Sequence, residues 1–152
     1  MSDIIDKLET PEECEQLIKN VQDRKPELAI RARLKKIDLL ASKHAAKSDV
    51  EKDIIKAMYA YEEVLTAKHG KKTRASRTWP MFERHGTITA VEKIVERPQE
   101  TSGYKLTVEK GLQDISFEAV VLRYPTHFSQ KAVAIAKERL KDWTSKSPQG
   151  PT

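Results

Sequence analysis

The stretch "KHGKKTRASRTWPMFERHG", residues 68–86, carries five lysine and arginine side chains in its first ten residues, and its first acidic residue is Glu83. Cations at this density can contact nucleic-acid phosphates, and the aromatic residues Trp79 and Phe82 could stack on bases. A solvated linker is the alternative for the cations. For the two aromatics, which share one helix face, we expect a core position instead of stacking. The predicted nucleic-acid-binding residues are Lys68, Lys71, Lys72, Arg74 and Arg77.

The stretch "SRTWPMFERHGTITAVEKIVER" has the outline of a helix-turn-helix, because a short glycine-containing turn separates two helical segments. The second segment carries Glu92 and Glu96, which would repel phosphates. We therefore expect contacts with the nucleic-acid backbone from the basic strip, and no sequence-reading helix. A second basic patch is predicted on the polar side of an N-terminal helix, at Arg31, Arg33, Lys35 and Lys36.

Two carboxylate pairs at helical spacing, Glu92 with Glu96 and Asp114 with Glu118, could bind magnesium or transfer protons. We interpret the first pair as part of a solvated helix face, where acidic and basic residues alternate. The Glu-x-Lys signature of a common metal-dependent nuclease is absent from the sequence. We therefore expect a protein that is not an enzyme.

Metal and cofactor sites are not expected either. The four histidines are scattered, without the spacing of zinc ligands, and the chain has one cysteine, Cys14. Its acidic neighbours Glu13 and Glu15 should raise the pKa of the thiol, which disfavours a reactive role. The glycines are isolated, so there is no loop of the kind that cradles phosphates.

The overall composition permits a polyanionic partner without requiring one, because the net charge of +5 is the difference between 28 basic and 23 acidic residues. No apolar run approaches the roughly 20 residues of a membrane span. The N-terminus "MSDIIDKLE" lacks the basic and apolar regions of a signal peptide. A cytoplasmic protein with no membrane association is the expectation.

The elements that must position these residues are predicted to be helices, in an all-α bundle of about six or seven helices with an N-terminal helical hairpin. Thr10 and Ser48 each precede a helix with glutamate three residues later, and Gly70 is placed to end the helix that precedes the basic strip. The predicted domain boundaries give a hairpin over 1–45, a main helical domain over 46–143 and a flexible tail over 144–152.

The apolar spacing also predicts one continuous helix from Val108 to Leu122. The predicted core residues of the main domain are Ile54, Met58, Tyr61, Leu65, Trp79, Phe82, Ile94, Leu112, Ile115, Ala119 and Leu122.

Three segments, "AYEEVLTAKHGKKTRASRTWPMFERHG", "TAVEKIVERPQETSGY" and "FEAVVLRYPTHFS", resemble an uncharacterised family of bacterial all-α domains. Members stand alone or beside nuclease-type domains in mobile or defence-related loci, and the resemblance spans residues 10–143. It implies a bacterial or phage protein with a nucleic-acid role, and it supplies no catalytic residue. Two functions remain open: a small module that binds DNA or RNA through its basic strip, and a helical protein–protein interaction domain or homodimer.

Overall fold

The structure of the chain is a computed structural model that describes residues 4–97 and 101–145. Within these residues every regular element is a helix, which confirms the predicted all-α class. Over this described part of the chain, no helix combines the length and the apolar character that crossing a bilayer requires. The eight α-helices found there are α1 (Pro11–Val21), α2 (Pro26–Ala41), α3 (Asp49–His69), α4 (Thr78–His85), α5 (Thr87–Glu96), α6 (Thr101–Glu109), α7 (Phe117–Arg123) and α8 (Gln130–Ser145).

The chain divides into two compact units, Met1–Lys47 and Ser48–Thr152. Of the predicted tail, residues 146–152 lie outside the described residues, as does the side chain of Trp143.

The first unit is built from α1 and α2. The predicted capping box at the start of α1 is confirmed, because Thr10 Oγ1 accepts a hydrogen bond from Glu13 N (3.1 Å) and Glu13 Oε1 accepts one from Thr10 N (3.1 Å). These bonds satisfy amides that have no partner within the helix. The core of this unit consists of Ile5, Ile18, Val21, Ala29 and Ala32, with Leu8, Leu17 and Leu28 packed against it.

The second unit surrounds α3, which begins and ends where the sequence predicts. Ser48 Oγ accepts a hydrogen bond from Glu51 N (3.2 Å), and Gly70 ends the helix with a φ of 73°, which glycine adopts readily. The core formed around α3 includes Ile54, Met58, Phe82, Val91, Val95, Phe117, Val120, Val121, Ala132 and Ala136.

The predicted continuous helix from Val108 to Leu122 is wrong, because two local signals interrupt it. Gly111 adopts a φ of 71° and allows Leu112 N to donate to Thr107 O (2.9 Å), a Schellman-type ending for α6. A 3-10 helix follows at Gln113–Ile115, and Ser116 Oγ then accepts from Ala119 N (3.2 Å) to start α7.

This interruption changes which residues of α7 are buried. Phe117, Val120 and Val121 lie in the core, whereas the predicted core residues Ala119 and Leu122 are half-buried. Of the other predicted core residues, Ile54, Met58, Phe82 and Leu112 are buried, and the half-buried ones are Tyr61, Leu65, Trp79, Ile94 and Ile115.

Candidate nucleic-acid interface

The basic loop, which we define as residues 70–77, joins α3 to α4 and presents cations to solvent. Lys71, Lys72 and Arg77 are exposed, and no ion pair or hydrogen bond joins their side chains to any residue within the described ranges. Lys68 is exposed in the last turn of α3. Arg77 immediately precedes α4 and therefore lies outside the first turn of that helix.

The backbone of the basic loop is attached to α3 by threonine side chains. Thr66 Oγ1 accepts a hydrogen bond from Thr73 N (3.0 Å), and Thr73 Oγ1 donates to Lys71 O (2.8 Å). The bond between Thr73 N and Thr66 Oγ1 holds the loop backbone against the last turns of that helix.

A carboxylate of α3, Glu62, holds the other end of the basic loop. Its Oε2 atom accepts three hydrogen bonds, from Arg74 Nε (3.0 Å), Ala75 N (2.9 Å) and Trp79 Nε1 (2.7 Å). Glu62 is only 7% exposed. Burial of a carboxylate is costly unless donors compensate it, and here three donors do so. We call these four residues the Glu62 clamp.

Sequence reasoning missed the Glu62 clamp, although one signal was present. Glu62 lies four residues after Met58 and three before Leu65, so its spacing places an acidic residue on an otherwise apolar helix face. Such a residue needs a partner. Nothing local identifies that partner, since the donors lie 12 to 17 residues further along the chain.

Arg74 differs from Lys71, Lys72 and Arg77 because it has an acidic partner. Its side chain is 63% exposed, yet its Nε lies 3.0 Å from Glu62 Oε2. The hydrogen bond to Glu62 and the charge of that carboxylate raise the pKa of Arg74. The positive charge of Arg74 is therefore offset by a negative charge held beside it.

Trp79 and Phe82 belong to the core, as we expected. Phe82 is 8% exposed, and Trp79 packs partly buried against the same core. The Trp79 ring centroid lies 5.3 Å from that of Tyr59 and 6.5 Å from that of Phe82, in edge-on and tilted geometries. With its ring packed in this way and its Nε1 atom bonded to Glu62, Trp79 is not presented for base stacking.

The helices α4 and α5 are joined by Gly86 alone, whose φ of 84° favours glycine. Thr87 is the first residue of α5, and Gly86 takes the capping position. The connection thus has the short glycine-containing turn of the predicted outline, but it supplies no side chain that reads bases.

The carboxylates of α5 do not lie on a solvated face, which corrects our interpretation of that pair. Glu92 Oε2 accepts a hydrogen bond from Ser129 N (2.6 Å), and Glu96 Oε2 accepts one from Ser129 Oγ (3.5 Å). Glu96 Oε1 also lies 3.7 Å from Lys131 Nζ. The start of α8 therefore packs against this face of α5. The two carboxylates also interact favourably with the positive end of the α8 helix dipole.

The second predicted basic patch does not form one exposed surface. Arg33 and Lys36 are buried (8% and 9% exposed), whereas Arg31 is exposed and Lys35 half-buried. Lys36 Nζ donates to Glu15 Oε1 at 2.7 Å. The reason is helical spacing, since residues 33 and 36 lie four and seven positions after the buried Ala29 and share its face.

The remaining candidate residues do not assemble into a catalytic or metal site. Glu118 is 5% exposed and binds Arg139 Nη1 (2.9 Å), while Asp114 is exposed in the preceding 3-10 helix, so the two carboxylates are not a pair on one helix. Within the described residues, no group of three or more histidine, cysteine, aspartate or glutamate side chains could hold a metal ion. Burial raises the pKa of the Cys14 thiol, and Glu13 adds to this effect.

Comparison of the chain with protein-family models, with curated proteins and with solved structures finds no significant match. The candidate interface is therefore described by its own geometry: four exposed cations, one of them paired with Glu62, on a loop that hydrogen bonds hold to α3.

Proposed function

We propose that the protein is a small helical module that associates with nucleic acid, binding the phosphate backbone through its basic loop. The observation that carries this proposal is the exposure of Lys71, Lys72 and Arg77 on a loop held by Thr66 and Glu62. A loop with a fixed backbone loses less conformational freedom on binding than a mobile one, so more of the electrostatic attraction appears as affinity.

The proposed contacts are with phosphates and not with base edges. Trp79 and Phe82 are packed in the core, which removes the aromatic platform that sequence-tolerant binding of single strands uses. Glu92 and Glu96 of α5 are bound at the start of α8 and would repel a phosphate backbone. Affinity is thus expected to be similar for different duplex sequences.

The biological setting is part of the proposal. The resemblance to bacterial all-α domains supports a cytoplasmic role in a bacterial or phage context, at mobile or defence-related loci. DNA and RNA duplexes both present closely spaced phosphates, so the experiment compares them directly.

The proposal is tested by a gel-retardation assay with duplex DNA, duplex RNA and single-stranded DNA at two salt concentrations. Three phosphate contacts predict a log–log salt slope of roughly −3 on duplex DNA, or about 40-fold weaker binding at 200 mM than at 50 mM salt. Replacing Lys71, Lys72 and Arg77 with alanine should abolish most of this dependence.

A matched control removes the same charge elsewhere in the second unit, by replacing the exposed residues Lys52, Lys105 and Lys137 with alanine. This variant should retain most of the binding. If the wild-type protein retards no probe at low salt, or both triple variants bind alike, the loop is only a solvated linker. The alternative function, a protein–protein interaction domain or homodimer, would then be favoured.

A further inference from the structure

We infer that Arg74 positions the basic loop and does not contact phosphate, and that Glu62 sets how much positive charge the loop presents to a polyanion. This inference rests on the proposed function and divides the four cations of the basic loop into two groups. Lys71, Lys72 and Arg77 are the binding group, and Arg74 belongs to the Glu62 clamp.

The first argument is geometric. A single oxygen of Glu62 receives a guanidinium N–H, a backbone N–H and an indole N–H at 2.7 to 3.0 Å. Ala75, whose amide is one of these donors, is 3% exposed. The three bonds fix the end of the loop to α3, and Arg74 contributes to this attachment through Nε.

The second argument concerns charge. The carboxylate of Glu62 lies in contact with Arg74, so a phosphate that approaches this guanidinium also meets a negative charge. Since Glu62 is largely buried, water screens its charge less than that of an exposed group. Loss of Lys71 or Lys72 should therefore flatten the salt slope, whereas loss of Arg74 should leave the slope unchanged and lower affinity only through the unopposed charge of Glu62.

The Glu62→Gln variant separates charge from attachment. Glutamine retains an oxygen at the Oε2 position for the donors of Ala75 and Trp79. Its amide group takes the Oε1 position, which makes no hydrogen bond to any residue in the described part of the chain. The loop should keep its conformation while Arg74 gains an unopposed charge.

The decisive experiment measures duplex-DNA affinity and salt slope for wild type, Glu62→Gln, Arg74→Ala and the double variant. We expect Glu62→Gln to bind up to about tenfold more tightly at 50 mM salt, with a slope steeper by about 0.9. Arg74→Ala should lower affinity because it leaves the charge of Glu62 unopposed, but it should keep the wild-type slope, since no phosphate contact is lost. The double variant should restore the wild-type affinity and keep the wild-type slope. Glu138→Gln is the matched control, since it changes net charge equally at an exposed position of α8 and should have little effect.

Two outcomes of this experiment would overturn the inference. If Arg74→Ala flattens the salt slope as much as Lys71→Ala, Arg74 contacts phosphate directly. If Glu62→Gln and Glu138→Gln raise affinity equally, only net charge matters and Glu62 has no local role.

A second readout keeps this inference distinct from the proposed function, which fails if the wild-type protein binds no nucleic acid. Limited digestion with trypsin reports the attachment of the loop without any ligand, because Lys71, Lys72, Arg74 and Arg77 are cleavage sites. Wild type and Glu62→Gln should be cleaved there equally slowly, and Glu62→Ala faster. Cleavage after Lys105 and Lys137 in the same molecules controls for global unfolding. If cleavage of the loop is no faster in Glu62→Ala, the clamp does not hold the loop.

Discussion

Two segments are similarly rich in lysine and arginine: residues 31–36 of α2 and residues 68–77 around the basic loop. Their cations differ in burial and in partners. In α2, two of the four cations lie on the buried helix face, and Lys36 is bound to Glu15. In the basic loop, Lys71, Lys72 and Arg77 are exposed, and Arg74 is bound to Glu62.

The difference indicates two conditions that a basic segment must meet before it can offer positive charge to a partner. Its cations must lie off the buried helix face, and no acidic side chain may be placed to neutralise them. Residues 33 and 36 fail the first condition because they repeat the spacing of α2's buried positions. Arg74 fails the second. We therefore expect substitutions in α2 to act on stability, and substitutions of the exposed loop cations to act on binding.

The largest expected effect comes from Glu62→Ala, which removes the acceptor of three hydrogen bonds. Removing the acceptor of the buried Ala75 amide and of the partly buried Trp79 indole should lower the free energy of unfolding by about 2–4 kcal/mol. Urea denaturation measures this change. Glu83→Ala, at an exposed position of α4, is the control and should stay within about 0.5 kcal/mol of wild type. A loss below about 1 kcal/mol would mean that these hydrogen bonds contribute little to stability.

Lys36→Ala should lower the free energy of unfolding by about 1–2 kcal/mol, because it removes a hydrogen bond to a charged group. The effect is limited because the side chain of Glu15 is 40% exposed and water can solvate it. Nucleic-acid affinity should not change. The measurements are urea denaturation and gel retardation, and an affinity loss equal to that of Lys71→Ala would contradict the distinction between the two segments.

Lys72→Ala should leave the free energy of unfolding within about 0.5 kcal/mol of wild type, since the residue is exposed. It should reduce the steepness of the salt dependence on duplex DNA by about 0.9, the value for one phosphate contact. Arg31→Ala, at the exposed end of the α2 segment, should leave the slope unchanged. Equal slopes for all three proteins would exclude Lys72 as a contact.

The smallest expected effect concerns Cys14. Burial raises the pKa of its thiol above the ordinary value of 9.0, and the positive charge of Lys35 partly opposes this rise. Below that pH the thiol is protonated in both folded and unfolded chains and contributes nothing to the pH dependence of stability. As the pH rises through 9.0, the unfolded chain loses its proton first, so stability should fall. Lys35→Ala should raise the pKa of Cys14 further, whereas Lys71→Ala should not. Thiolate absorbance near 240 nm, taken as the difference from Cys14→Ser, measures the titration.

Features that depend on neighbouring residues could be predicted from the sequence. The helix starts after Thr10 and Ser48 and the helix end at Gly70 were predicted correctly, because each cap acts within a few residues. The same local effect operates at the start of α8, where Ser129 Oγ accepts a hydrogen bond from Ala132 N (3.1 Å). The break between Gly111 and Ser116 was not predicted, because the apolar spacing continues through it and favoured a single helix. The glycine that ends α6 and the serine that caps α7 are both ordinary local signals.

Features that depend on distant residues could not be predicted. The partners of Glu62 and of Glu92 are fixed by how helices pack, and many other cations and amides satisfy the same chemical requirement. The candidate site was accordingly predicted only as a set of cations. The packing shows that Glu62 neutralises Arg74 in the loop. It also shows that Arg33 and Lys36 are the buried cations of α2.

The hydrogen bond from Ser129 N to Glu92 Oε2 has a consequence for the order of folding, because it joins residues 37 positions apart. The start of α8 is completed by a side chain of α5, so the intervening chain must close before this turn is fully stabilised. Such nonlocal contacts slow folding relative to local ones. The first-turn amides of α8 should therefore exchange with solvent deuterium in the same opening event as those of α5, and not by independent fraying.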